Sequence, residues 1–167
     1  RDGDGVTAAG VKQLRGGNGA LQRLVINSWP DLAAAVSLSQ GNVTTAEIAD
    51  HSQMNKLVRQ AKKDAQFQIF IHSIPLERLA FGSFSDASWG IRPDGSSQGG
   101  QLHFACDSAL LEGHNARMSL LDWKSWALKR VCRSSLSAES QAAADTIDTL
   151  NFIRLFSVDF VMAQGVD

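Results

Sequence analysis

The hydrophobic period of this chain changes twice, and those changes decide what it can fold into. Up to about Ala65 apolar side chains recur at helical spacing, with Leu14, Leu21, Leu24 and Val25 in one stretch and Met54, Leu57, Val58, Ala61 and Ala65 in another. From Phe67 the period falls to two, where Phe67, Ile69 and Ile71 alternate with Gln68, Phe70 and His72 as in a strand. From about Ser137 to Met162 it is helical again, with Ala143, Ile147, Leu150 and Ile153 in step and no proline or glycine to interrupt them. Helices, then strands, then one long helix is the order of an α+β, or mixed α/β, fold.

Turn chemistry divides these stretches. Asp2-Gly3-Asp4-Gly5 starts like a calcium loop but lacks the later ligands and the closing Glu, so residues 1 to 13 read as a frayed terminus. Gly16-Gly17-Asn18-Gly19 has no following Gly-Lys-Ser/Thr and reads as a helix-initiating turn rather than a phosphate loop. Ser28-Trp29-Pro30-Asp31 restarts a helix, since proline suits a first turn, and an Ala-rich helix is expected from about Asp31 to Leu38. Thr44 with Glu47 fits the capping box of a longer helix. Strands are expected from Phe67 to the stop at Pro75, from Leu79 to Asp86, from Gln101 to Cys106 and from Met118 to Trp126. The period change near residue 67 sets the division: a helical unit over 1–66 and a sheet-containing unit over 67–167.

With 44% hydrophobic and 20% charged residues the chain reads as globular rather than disordered. A net charge of -1 gives no overall basic field, so any nucleic-acid contact must use local patches. Two cysteines, Cys106 and Cys132, support neither a disulfide framework nor zinc, which favours a reducing, intracellular setting. His51, His72, His103 and His114 show no ligand spacing. No apolar run reaches the roughly 18 residues that a membrane span needs. The start at Arg1 and the stop at Asp167 read as the ends of an excised piece.

Two segments carry chemistry. In Phe84-Ser85-Asp86-Ala87-Ser88-Trp89 an acid closes an apolar strand, and in Ser134-Ser135-Leu136-Ser137-Ala138-Glu139-Ser140 a serine-rich approach puts Glu139 in the first turn of the long helix. A first-turn acid is favoured by the helix dipole in any protein, and Asp86 alone fits a turn residue. Cations fall in two groups: Lys56, Arg59 and Lys62 (with Lys63) on the helix before the strands, and Lys124, Lys129, Arg130 and Arg133 flanking the approach to Glu139. Either a solvated face or contact with phosphates accounts for them. Trp89, Trp123 and Trp126 are expected in the core, and Asp145 and Asp148 are expected to be solvated helix acids.

In order, these segments resemble one family. Asp86-Ala87-Ser88-Trp89 is similar to the opening strand of the ribonuclease H domain of copia-type retrotransposons, and Ser134-Ser135-Leu136-Ser137-Ala138-Glu139 to the approach to that domain's first helix. Gly19-Ala20-Leu21, Trp29-Pro30-Asp31-Leu32, Ala35-Val36-Ser37 and Asn55-Lys56-Leu57-Val58-Arg59-Gln60-Ala61-Lys62 resemble the end of the same elements' reverse transcriptase. The resemblance runs from about Leu14 to Phe156. Ser88 stands where the family often has Asp, Ser137 where it often has Glu, and Trp29 where Arg usually precedes Pro-Asp.

The resemblance implies a reverse-transcriptase tail over residues 1–66 and an incomplete ribonuclease H-like domain over 67–167. It implies that Asp86, ending a central strand, and Glu139 hold Mg2+, with Mn2+ as an alternative, beside the RNA strand of an RNA/DNA hybrid. The hybrid and the remainder of the Pol polyprotein are the implied partners, in a cytoplasmic particle or the nucleus. The family's third Asp falls beyond residue 167, so these residues alone are expected to be inactive. The competing expectation is a non-catalytic remnant that at most binds nucleic acid.

Overall fold

A computed structural model describes residues 4–41 and 46–163. Helix α1 (Ala8–Ser28) opens at Thr7, whose Oγ1 accepts the Gly10 N–H at 3.2 Å. The segment before it is tied down rather than frayed from Asp4 onward, because Gly5 bridges Glu47 and the Ile48 N–H donates to Asp4 O at 3.1 Å. Residues 1–3 lie outside the described residues.

The Gly16–Gly19 cluster does not start a helix; it sits inside α1. Tertiary packing overrides its turn propensity. A Cβ on Gly17 would lie 2.1 Å from the Met54 sulfur, so this glycine lets α1 and α3 (Ile48–Lys63) approach closely. Asn18 is buried and holds Ser39 at the end of α2 (Ala33–Ser39): its Nδ2 donates to Ser39 O at 3.2 Å and its Oδ1 accepts from Ser39 Oγ at 3.1 Å. The restart at Pro30 takes the form of a 3-10 turn over Pro30–Leu32 that runs into α2. Helix α3 is capped by Glu47 with Asp50: the Glu47 N–H donates to Asp50 Oδ2 at 2.8 Å. Thr44 itself lies outside the described residues.

Strands β1 (Leu79–Ser88), β2 (Gln98–Asp107) and β3 (Met118–Ala127) form an antiparallel sheet in the order β1-β2-β3. The expected strand at Phe67 is absent, and residues 67 to 75 run without ladder pairing. Neither side of the segment is covered: Phe67, Phe70 and Ile71 are all exposed, so alternation here finds no sheet to pair with. The Phe67 ring stacks on Trp29 with centroids 5.6 Å apart, while the His72 N–H donates to Ser119 Oγ at 2.8 Å. The β1–β2 turn needs Gly90 and Gly95 at φ 61° and 76°, and Asp94 braces it by accepting from Ser96 N and Oγ. Helix α4 (Ser135–Ala163) follows. The α+β class is thus realised, with three strands among the described residues.

Register assigns the faces. Phe84, Leu102 and Trp123 share one row, and Asp86, Gly100 and Ser125 the next row on that face. This face carries the helical layer: Trp123 Nε1 donates to Val25 O at 2.8 Å, and Gln98 Nε2 donates to Ser37 Oγ at 2.8 Å and Ser125 Oγ at 2.7 Å. Arg92 completes the tie, donating to Gln98 Oε1 and to Ser37 O. The opposite face, with Gly99, Gln101 and Trp126, carries α4. There Thr149 Oγ1 accepts from Gln101 and Trp126 Nε1 donates to Asp145 Oδ2 at 3.1 Å. The main apolar core lies within the helical layer, around Leu14, Leu21, Val25, Leu32, Val36, Met54 and Leu57, and Trp123 reaches it from the sheet.

Candidate metal and nucleic-acid site

Asp86 is exposed on β1, two residues before its end and opposite Gly100. β1 is an edge strand rather than a central one, and Asp86 belongs to the face that carries the helical layer. Glu139 is half-buried in the first turns of α4, on the other face. Ala138 and Ala142, both fully buried, press the start of α4 against the sheet, and small side chains there let it lie mainly over β1 and β2.

Contacts further along fix how α4 is turned. Asp145 meets Trp126 of β3, and Thr146 and Thr149 meet Gln101 of β2. At about 100° per residue Glu139 lies about 120° round from Asp145, continuing in the sense that leads from β3 past β2. Glu139 therefore occupies the flank turned to β1. The two acids lie on opposite faces of the sheet, Asp86 under the helical layer and Glu139 under α4, and the fold does not bring them together as the resemblance implies.

Their donor set is two carboxylates, hard oxygen ligands suited to Mg2+. Among the described residues no group of three His, Cys, Asp or Glu side chains stands close enough to hold an ion. Two carboxylates do not make a complete two-ion centre.

The cations fall on two layers. Lys56, Arg59 and Lys62 are exposed on α3, in the helical layer. Lys129, Arg130 and Arg133 are exposed in the segment that leads from β3 into α4. Lys124 is exposed on the α4 face, its Nζ 5.4 Å from the centre of the Trp126 ring. Trp123 and Trp126 are half-buried, but Trp89 is not core: it is exposed, and its Nε1 donates to Cys132 O at 2.9 Å, joining the end of β1 to the approach to α4. Asp148 is exposed as expected of a solvated helix acid, whereas Asp145 is engaged by Trp126.

Sequence reasoning missed His103, which is fully buried on β2 with neither ring nitrogen bonded. Burial holds its pKa below the ordinary value, opposed by the nearby Asp122. Alternation through Leu102-His103-Phe104 puts His103 on one face of the sheet but does not reveal that both faces are covered. Burial likewise pushes the Cys106 thiol up, with Asp107 adding to it. Cys106 and Cys132 are both free.

No family model, curated protein or solved structure matches this chain. Among the described residues no helix is long and apolar enough to cross a membrane.

Proposed function

We propose that this chain is the part of a copia-type retrotransposon Pol polyprotein that joins the end of the reverse transcriptase to a ribonuclease H-like module. The observation that carries the reading is the arrangement around β1. A three-stranded antiparallel meander feeds one long helix back across its first strand, with Asp86 on that strand and Glu139 on the flank of the helix turned to it. The order of elements supports the reading, while the acids lie on opposite faces of an edge strand rather than together at the end of a central one.

In this reading Asp86 and Glu139 would hold Mg2+, or Mn2+ in its place. The ion supplies charge that favours an activated water and a departing 3′-oxygen on the RNA strand of a hybrid. The chain's own part is to fix two negative charges on either side of one strand and to offer Lys129, Arg130 and Arg133 to phosphates beside them. Lys56, Arg59 and Lys62 add a second phosphate-binding layer. Activity belongs to the whole Pol protein, since two carboxylates leave the ion short of ligands.

The test is paramagnetic broadening by Mn2+ of backbone amide signals in the full chain. Broadening centred on residues 85–88 and 138–140, lost in both Asp86→Asn and Glu139→Gln, is expected. Broadening elsewhere, or unchanged in either variant, overturns the shared-ion assignment. A polypeptide continued past residue 167 then separates enzyme from remnant by hybrid cleavage that depends on both acids.

A further inference from the structure

We propose that the cleft between the Pro30–Leu32 turn and the β1–β3 face that carries the helical layer binds a flat organic cation, an amidinium or guanidinium on an apolar stem. The cleft has a volume of about 250 Å³ and lies between the helical layer and the sheet, with Pro30, Ala33, Phe84, Leu102 and Trp123 among its apolar lining. Its walls are aromatic and fixed. The Trp123 ring is anchored by its bond to Val25 O, and Phe84 is braced by Phe104, with centroids 5.3 Å apart. Phe84 nonetheless remains 61% exposed, a large apolar ring presented to an open cavity.

The lining carries two acids and one cation. Asp31 and Asp86 both line the cleft, from the helical side and the sheet side respectively, and neither carries a hydrogen bond or ion pair among the described residues. The single cation at the rim, Lys124, belongs to a register row of the opposite face and rests over Trp126 there. The floor is Gly100, where an added Cβ would meet nothing nearer than Asp86 O at 4.0 Å, so the space above it is open. Aromatic faces attract a cation by their quadrupole, and two carboxylates on opposite walls match the two edges of an amidinium or guanidinium. A neutral aromatic would leave both acids unpaired, and an anion would be repelled.

This inference does not rest on a metal role for Asp86, and its test runs with chelator and no divalent ion. Benzamidine is titrated into the 15N-labelled full chain at low salt, with neutral benzamide as the isosteric comparison. Saturable shifts at the Gly100 amide and the Trp123 indole N–H are expected with benzamidine. Benzamide should bind at least about fivefold more weakly, and Asp31→Asn and Asp86→Asn should each weaken benzamidine about two- to fivefold, the range of partly exposed ion pairs. Gly100→Val should abolish binding, since its side chain projects into the cleft from a position where an added Cβ meets nothing closer than 4.0 Å. A capped Gly-Arg-Gly peptide run alongside assigns the source: tighter binding than benzamidine points to an arginine of a polypeptide partner, weaker to a free aryl cation. No saturable shift with either ligand, equal binding of benzamide, or undiminished binding to folded Gly100→Val overturns the proposal.

Discussion

His103 shows what a single buried side chain imposes. Both ring nitrogens lack partners inside the sheet, and a neutral unpartnered ring nitrogen costs about 1–3 kcal/mol while a charged one costs more. Because the folded pKa is held below the ordinary 6.5, the unfolded chain takes up the proton first. Stability from this residue is therefore complete above about pH 6.5 and is lost as pH falls through the lower, folded value. Urea unfolding of wild type and His103→Leu at pH 7.5 and pH 5.0 should show a smaller loss on acidification in the variant. An equal loss in both would assign the pH response to other groups.

At the scale of elements, the glycines of α1 separate propensity from packing. Gly16 and Gly19 face open space, so Gly16→Ala and Gly19→Ala should each stabilise the helix by about 0.5–1 kcal/mol. Gly17→Ala gains the same propensity but drives a methyl into the Met54 sulfur, so it should destabilise the fold. Thermal unfolding of the three variants checks the opposite signs. The cap of α3 gives a further expectation: Asp50→Ala removes the acceptor of the Glu47 N–H and should cost about 0.5–2 kcal/mol. Helical spacing revealed α1, α2 and α3 because each buries one stripe. It did not reveal that Gly16–Gly19 lies within a helix, since the reason sits on Met54, far along the chain.

Over the whole molecule, the helical layer and the sheet are joined by few but specific bonds. Trp123→Phe keeps the ring but leaves Val25 O without this donor, and should lower stability by about 0.5–1.5 kcal/mol. The effect should be read both from sheet amides and from α1 amides by hydrogen exchange, because the bond links the layers. Helix α4 outruns its support. Its 29 residues span about 43 Å, against about 33 Å for a ten-residue strand. Phe152, Leu155, Phe156 and Phe160 are consequently exposed, by 59% or more each. The chain should enhance the fluorescence of an apolar dye such as ANS, and a Phe152→Ser, Phe156→Ser double variant should reduce that signal with little loss of stability. An unchanged signal would place the dye elsewhere.

By itself the sequence determined the α+β class and the extents of β1, β3 and α4 to within about two residues. These are local properties: period, turn residues and short motifs leave their mark on the chain that carries them. Tertiary structure decided the rest. It left Phe67–Ile71 an unpaired segment with the Phe67 ring against Trp29 rather than a strand, turned a glycine cluster into a helix–helix contact, and buried His103 between two layers. It also put Asp86 and Glu139 on opposite faces of one edge strand. Each outcome depends on which distant side chain covers a given face, and a linear pattern records that a face is apolar without recording what will lie against it.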